Sequence, residues 1–273
     1  MAEEINIQVY MEGLSRVDRV VDDSGFAFTS LDIIGKELAT LEPIKNYTHL
    51  QFVNVSKNEI VDASPLFGLH YLVCVDLSDN SLTTQPTLPQ QYLQLLDVSN
   101  NQIATLQGIE SNSLTVLKIN GNTLTSLIGL QSLPSLTTLE ASRNAIEDIS
   151  SLASDTAPQL KTLHLDDNKV TTLNGIESLS ALTTLSIQQN YASISIEALE
   201  SVQQLEQLPQ LTTLDLTGNP VTQAEAYRQS IILLTPTLTQ LDGEPITDGD
   251  RLLAVELKQR REAEAAAQEE ANK

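Results

Sequence analysis

The chain has 273 residues, with 36 acidic side chains against 15 basic ones and a formal net charge of −21. A field of that sign repels nucleic-acid phosphate and anionic membranes, so neither is an expected partner. The only cysteine, Cys74, rules out an internal disulfide.

The first segment, 1–27, reads as an N-terminal cap. Its apolar residues alternate from Ile5 through Ile7 and Val9 to Met11, which predicts a strand. "MAEEINIQVY" has neither the basic nor the apolar region of a secretory leader. No apolar run reaches membrane-spanning length. With the lone cysteine, these features lead to the expectation of a cytoplasmic, reducing location.

From residue 28 to 221 one frame repeats: L-x-x-L-x-L-x-x-N-x-L, with any aliphatic residue at L. It appears as "LQFVNVSKNEI" from Leu50, "LVCVDLSDNSL" from Leu72 and "LQLLDVSNNQI" from Leu93. Further copies begin at Leu114, Leu136, Leu160, Leu182 and Leu211, and a degenerate first copy, "FTSLDIIGKEL", begins at Phe28. Successive starts lie 22, 22, 21, 21, 22, 24, 22 and 29 residues apart. The frame is that of a leucine-rich repeat, and its period resembles the short intracellular class. The expected fold is an α/β leucine-rich repeat solenoid, with a curved parallel sheet on the concave face and short helices or turns on the convex face. One coil cannot bury its own apolar side, but stacked coils cover one another.

Asparagines Asn58, Asn80, Asn101, Asn122, Asn144, Asn168, Asn190 and Asn219 fall where each coil leaves its strand. An amide carries donors and an acceptor, so a row of them can satisfy the backbone groups that the turn strands inside. Their expected role is structural.

The residues between the inward leucines face out. One outward row is Ser30, Phe52, Cys74, Leu95, Val116, Thr138, Thr162, Thr184 and Thr213; the other is Asp32, Asn54, Asp76, Asp97, Lys118, Glu140, His164, Ser186 and Asp215. Phe52, Cys74, Leu95 and Val116 are consecutive and apolar, a stripe about 14 Å long at the usual strand spacing. Asp76 and Asp97 flank it, and Glu140, Arg143, Asp166 and Asp167 form a charged patch further along. An apolar stripe rimmed with charge suggests a protein interface. Two other readings stay open: the stripe packs only along its own strands, or the N-terminal cap folds over it. The threonines that follow make good sheet surface with little binding content.

Between Leu182 and Leu211 the long repeat spaces Ile196, Leu199, Val202, Leu205 and Leu208 three apart, which predicts a convex helix of several turns, either a tolerated surface insertion or a second docking ridge. After Asn219-Pro220, the order Tyr227-Arg228, Pro236, Leu238 and Leu241-Asp242-Gly243 resembles the C-terminal cap of intracellular leucine-rich repeats. The cap is assigned to 222–247, as a helix over the last core followed by one more strand-like turn. A charged helix is predicted over 248–273, with nothing large and apolar after Lys258. Its last turns either fray in solvent or lie against a partner.

No pattern of catalytic residues emerges, and no cofactor is implied. His49 and His70 stand 21 residues apart, near neighbours on adjacent coils, but without paired cysteine or histidine spacing they give no metal site. Across 219–264 the cap runs straight into an acidic, arginine-containing helix. That layout resembles the axonemal leucine-rich repeat proteins, most closely those of the ciliary radial spoke. The resemblance implies a non-catalytic scaffold of a large assembly in the cilium or flagellum, bound to other proteins through its concave face and C-terminal helix. The alternative resemblance is to regulatory subunits of protein phosphatase 1, which use aromatic residues including tryptophan on that face; this chain has no tryptophan.

Overall fold

In a computed structural model, residues 7–20, 25–86, 88, 90–153, 157–190 and 199–271 are described. The chain opens with helix α1 (Ile7–Gly13) and strand β1 (Leu14–Arg19), then β2 (Phe26–Asp32). Eight three-residue strands follow, one per coil: β3 (Phe52–Asn54), β4 (Cys74–Asp76), β5 (Leu95–Asp97), β6 (Val116–Lys118), β7 (Thr138–Glu140), β8 (Thr162–His164), β9 (Thr184–Ser186) and β10 (Thr213–Asp215). Helix α2 (Tyr227–Leu234), the short strands β11 (Gln240–Leu241) and β12 (Glu244–Pro245), and helix α3 (Asp248–Ala271) complete it. The strands make one sheet in sequence order, parallel from β2 to β11, with an antiparallel strand at each end.

Register follows the frame. Leu31, Val53, Val75, Leu96, Leu117, Leu139, Leu163, Leu185 and Leu214 stand side by side, and all are buried. The convex side is built from 3-10 turns such as Glu42–Asn46 and Ser64–Gly68. A 21–22-residue coil leaves room there for a turn or two of tight helix and no more.

The asparagine row is realised bond by bond. Asn101 Nδ2 donates to Leu77 O of the preceding coil at 3.0 Å and to Val98 O of its own at 3.0 Å, while its Oδ1 accepts from Leu82 N at 2.9 Å. Asn58, Asn80, Asn122, Asn144 and Asn168 repeat that pattern. The residue just before each asparagine is left-handed: Lys57, Asp79, Asn100, Gly121, Arg143, Asp167, Gln189 and Gly218 all have φ between 53° and 77°.

Two expectations need correction. Ile7–Gly13 is a helix, not the strand that alternation predicted, and Ile5 lies outside the described residues. A strand would align Ile7, Val9 and Met11 on one face. The helix instead buries Tyr10, whose hydroxyl donates to Thr40 O at 2.5 Å, and leaves Ile7 and Met11 exposed. In the long repeat the helix is a 3-10 helix over Leu199–Gln207, and Ile196 lies outside the described residues. Three-residue spacing is the period of that tighter helix, and it buries Val202, Leu205 and Leu208 along one side.

The C-terminal end follows the expected order of helix, strand-like turn and helix. Thr247 caps α3: its Oγ1 accepts from Asp250 N at 3.2 Å, and Asp250 Oδ2 accepts from Thr247 N at 2.8 Å. The helix lies on α2 through buried Ala254 and Leu257, and Arg261 Nη2 donates to Ser230 Oγ at 3.1 Å. Leu252, Leu253 and Val255, on the other faces, are exposed.

Candidate functional site

The concave face carries both outward rows in register. Phe52, Cys74, Leu95 and Val116 sit on neighbouring strands, and so do Asn54, Asp76, Asp97 and Lys118. All four apolar side chains of the stripe are half-buried. A shallow depression of about 320 Å³ opens over this part of the sheet, with Phe52, Cys74 and Leu95 as its floor and Asp32, Asp76 and Asp97 at its rim.

The apolar surface extends further than the repeats alone suggest. In the other coils the chain enters its strand from a turn, and the first leucine tucks inside. β2 instead runs straight from Phe26, so alternation puts Phe26 and Phe28 on the same face as Ser30. Val17 of β1 pairs with Phe28. Phe26, Phe28 and Val17 are 75%, 43% and 57% exposed, large values for apolar side chains beside a half-buried stripe. Phe28 was expected to be an inward position, and the uninterrupted run from Phe26 to Asp32 was the signal that it is not. Among the described residues, the N-terminal cap meets the stripe at its edge, where the Arg16 guanidinium stands 5.0 Å above the Phe52 ring.

The flanking carboxylates have a structural task as well. Asp76 Oδ1 accepts from Ser78 N at 2.9 Å and Asp97 Oδ1 from Ser99 N at 2.9 Å; Asn54 and Asp215 do the same in their coils. Each holds the turn that follows its strand. Burial, against the Ser99 hydrogen bonds, pushes the Asp97 carboxyl above the ordinary carboxylate range, and Asp76 adds to the rise. Burial first, then Asp76 and Asp97, raises the Cys74 thiol, which keeps it protonated and chemically quiet.

The second predicted group does not assemble into one patch. Glu140 pairs with Lys118 at 3.1 Å and accepts from Asn120 Nδ2 at 3.1 Å. Asp166 is taken up by Ser186 Oγ at 2.5 Å, Gln188 N at 2.8 Å and Ser142 Oγ at 3.2 Å. Arg143 reaches back two coils, its Nη2 donating to Asn100 Oδ1 at 3.3 Å. Asp167 is exposed at the left-handed corner. Arg143 and Asp167 therefore belong to the turn row beside the sheet, not to the strands.

His49 does not neighbour His70 in the way its spacing suggested. The coil period there is 22 residues, so the ring at the next equivalent position is Tyr71, which stacks on His49 at 5.6 Å; Tyr92 stacks on Tyr71 at 6.4 Å. Among the described residues no group of three or more His, Cys, Asp or Glu is placed to hold a metal ion, and no helix is long and apolar enough to cross a membrane.

Comparison with known proteins agrees with this geometry. Residues 158–271 match a leucine-rich repeat family model. The U2 small nuclear ribonucleoprotein A′ of Neurospora crassa is 31% identical over 124 residues, 45% of this chain and 39% of that protein. Leucine-rich repeat-containing protein 51 of Bos taurus is 37% identical over 60 residues, 22% of this chain and 31% of that protein. The matches thus span less than half the length of these curated relatives. The leucine-rich repeat ectodomain of the Arabidopsis receptor kinase HAESA, solved with a peptide hormone, aligns over 87% of this chain and 42% of its own, with a TM-score of 0.59 at 19% identity, a likeness of fold alone. With repeat frame, asparagine row and strand register in agreement, the fold is a leucine-rich repeat solenoid.

Proposed function

We propose that the protein is a non-catalytic scaffold that binds another protein on its concave face, and that it serves as a structural subunit of the ciliary axoneme, in the radial spoke. The observation that carries the binding role is the in-register apolar row of Phe52, Cys74, Leu95 and Val116, half-buried, with Phe28 and Val17 exposed on the neighbouring end strands. A soluble face of this kind gains from being covered, at about 25 cal/mol per Å² of apolar surface removed from water. The axonemal placement rests on the resemblance of residues 219–264, where the cap passes directly into a charged helix.

Phe52→Glu with Leu95→Glu places two charges on the stripe without touching an inward leucine. Partner capture from axonemal extract should be lost while the circular dichroism spectrum stays that of the parent. Unchanged capture would remove the concave face from this reading. Fractionation of a tagged chain in ciliated cells tests the location: recovery with the phosphatase catalytic subunit, or with ribonucleoprotein particles, and absence from axonemes would overturn it.

A further inference from the structure

The depression over β3–β5 has a definite chemistry, and the inference drawn from it rests on the concave-face reading above. Its floor is apolar: Phe52, Cys74 and Leu95. Its rim carries Asp32, Asp76 and Asp97 together with Lys118, and that lysine is already paired with Glu140 at 3.1 Å. Asp76 and Asp97 occupy the same position on adjacent strands, about 5 Å apart in backbone spacing. Each commits Oδ1 to its turn, and the Ser99 side chain adds a second hydrogen bond to Asp97. Two like charges so placed in a partly desolvated site repel, and a cation between them relieves both. Arg16 shows that the floor accepts such a group, since its guanidinium already rests over Phe52. A second copy of the chain is a poor occupant, because it brings another net −21.

We propose that this depression takes a basic amphipathic segment of a partner protein, with an aliphatic side chain on the Phe52–Leu95 floor and a lysine or arginine between Asp76 and Asp97. The rim sets specificity and the floor supplies affinity.

The test uses the full chain and a short labelled peptide alternating leucine and arginine, with otherwise identical leucine–glutamate and leucine–glutamine peptides, read by fluorescence anisotropy. Asp76→Asn with Asp97→Asn removes the rim charge but keeps the Oδ1 acceptors that Ser78 and Ser99 need. Glu262→Gln with Glu264→Gln, on the exposed part of α3, makes the same change in net charge, from −21 to −19 (−21 + 2). The arginine peptide should bind the parent and the α3 variant alike, and the rim variant about tenfold more weakly. Equal weakening of both variants would reduce the effect to the general field and overturn the proposal. So would equal binding of the glutamine peptide. If Leu95→Glu abolishes binding of the glutamine peptide while the rim variant does not, the face is an interface for a neutral segment: the concave-face reading stands and this inference falls.

Discussion

Arg228 of α2 holds Asp250 of α3 by two hydrogen bonds, Nε to Oδ1 and Nη2 to Oδ2, both at 3.2 Å. The same guanidinium reaches Pro245 O at 2.9 Å, and the same carboxylate closes the cap of α3 with Thr247. One pair thus fixes both the entry of the terminal helix and its seat on the cap. Arg228→Ala should loosen α3 from its first turn, seen as severalfold faster amide exchange at Ala254 and Leu257 with the repeats unchanged. Unaltered protection there would show that Leu257 and Arg261 hold the helix alone.

The same pair predicts a pH window. The Arg228 hydrogen bonds, then those from Thr247, hold the Asp250 carboxyl far below the ordinary carboxylate range. A depressed value in the folded state contributes stability that is complete above the unfolded value, about 3.9, and disappears as pH falls through the folded one. Docking of α3 should therefore be flat from about pH 5 to 8 and weaken only in strong acid. A midpoint near neutrality in the same exchange measurement would contradict this.

The interior asparagines predict a steep cost. Asn190 is fully buried; its Nδ2 donates to Leu165 O at 3.1 Å and Gln188 O at 2.9 Å, and its Oδ1 accepts from Val170 N at 2.9 Å. Its backbone N–H donates to Asn219 Oδ1 at 3.0 Å, so the last two members of the row are coupled. Asn190→Ala leaves Val170 N–H and Leu165 O without those partners and should cost about 3 kcal/mol. Asn112→Ala, at an exposed position, should stay within about 0.5 kcal/mol. Urea midpoints compare the two directly.

Much of this was legible in sequence because the frame joins a strict strand alternation to a strict coil length. Those two periods fix which side chains face in, which face out and which are neighbours, hence the register of Phe52 through Val116. Other features have no such code. The left-handed corner accepts Lys57, Asp79, Asn100 and Arg143 alike, because the bonds of the asparagine that follows impose a conformation that intrinsic preference opposes. The apolar run around Tyr10 fits a helix or a strand, and only the pocket beside Thr40 decides between them. Phe28 was misplaced because the frame was carried into a strand that enters differently. Arg143 and Asp166 looked like surface charge until their partners, Asn100, Ser142 and Ser186, were in place.

Backbone approach between coils gives a further test. Gly175 has φ of 106°, and a Cβ there would lie 2.6 Å from Ile149 O and 2.9 Å from Ser150 Cα. Neither atom is the end of a flexible side chain, so Gly175→Ala must shift the stack and should cost about 2–3 kcal/mol. Gly68 has open space around its Cβ position, and Gly68→Ala should be neutral or raise stability by up to about 1 kcal/mol through the unfolded chain. Equal thermal midpoints for the two variants would refute the close-approach account.

Asp97 separates stability from binding. Its folded carboxyl is raised, by burial first, against the Ser99 hydrogen bonds and Lys118 and with the help of Asp76. A raised value means the stabilising contribution is complete below the unfolded value, about 3.9, and is lost as pH climbs through the folded one, so at neutral pH the charge is a standing cost. Asp97→Asn keeps the acceptor for Ser99 N and removes that charge. Its stability at pH 7 should match or exceed the parent's, and the difference should vanish in thermal melts below about pH 4. A carboxylate that held the fold together would show the opposite sign. A turn needs only the acceptor, so the same substitution should weaken the arginine peptide while leaving the solenoid intact.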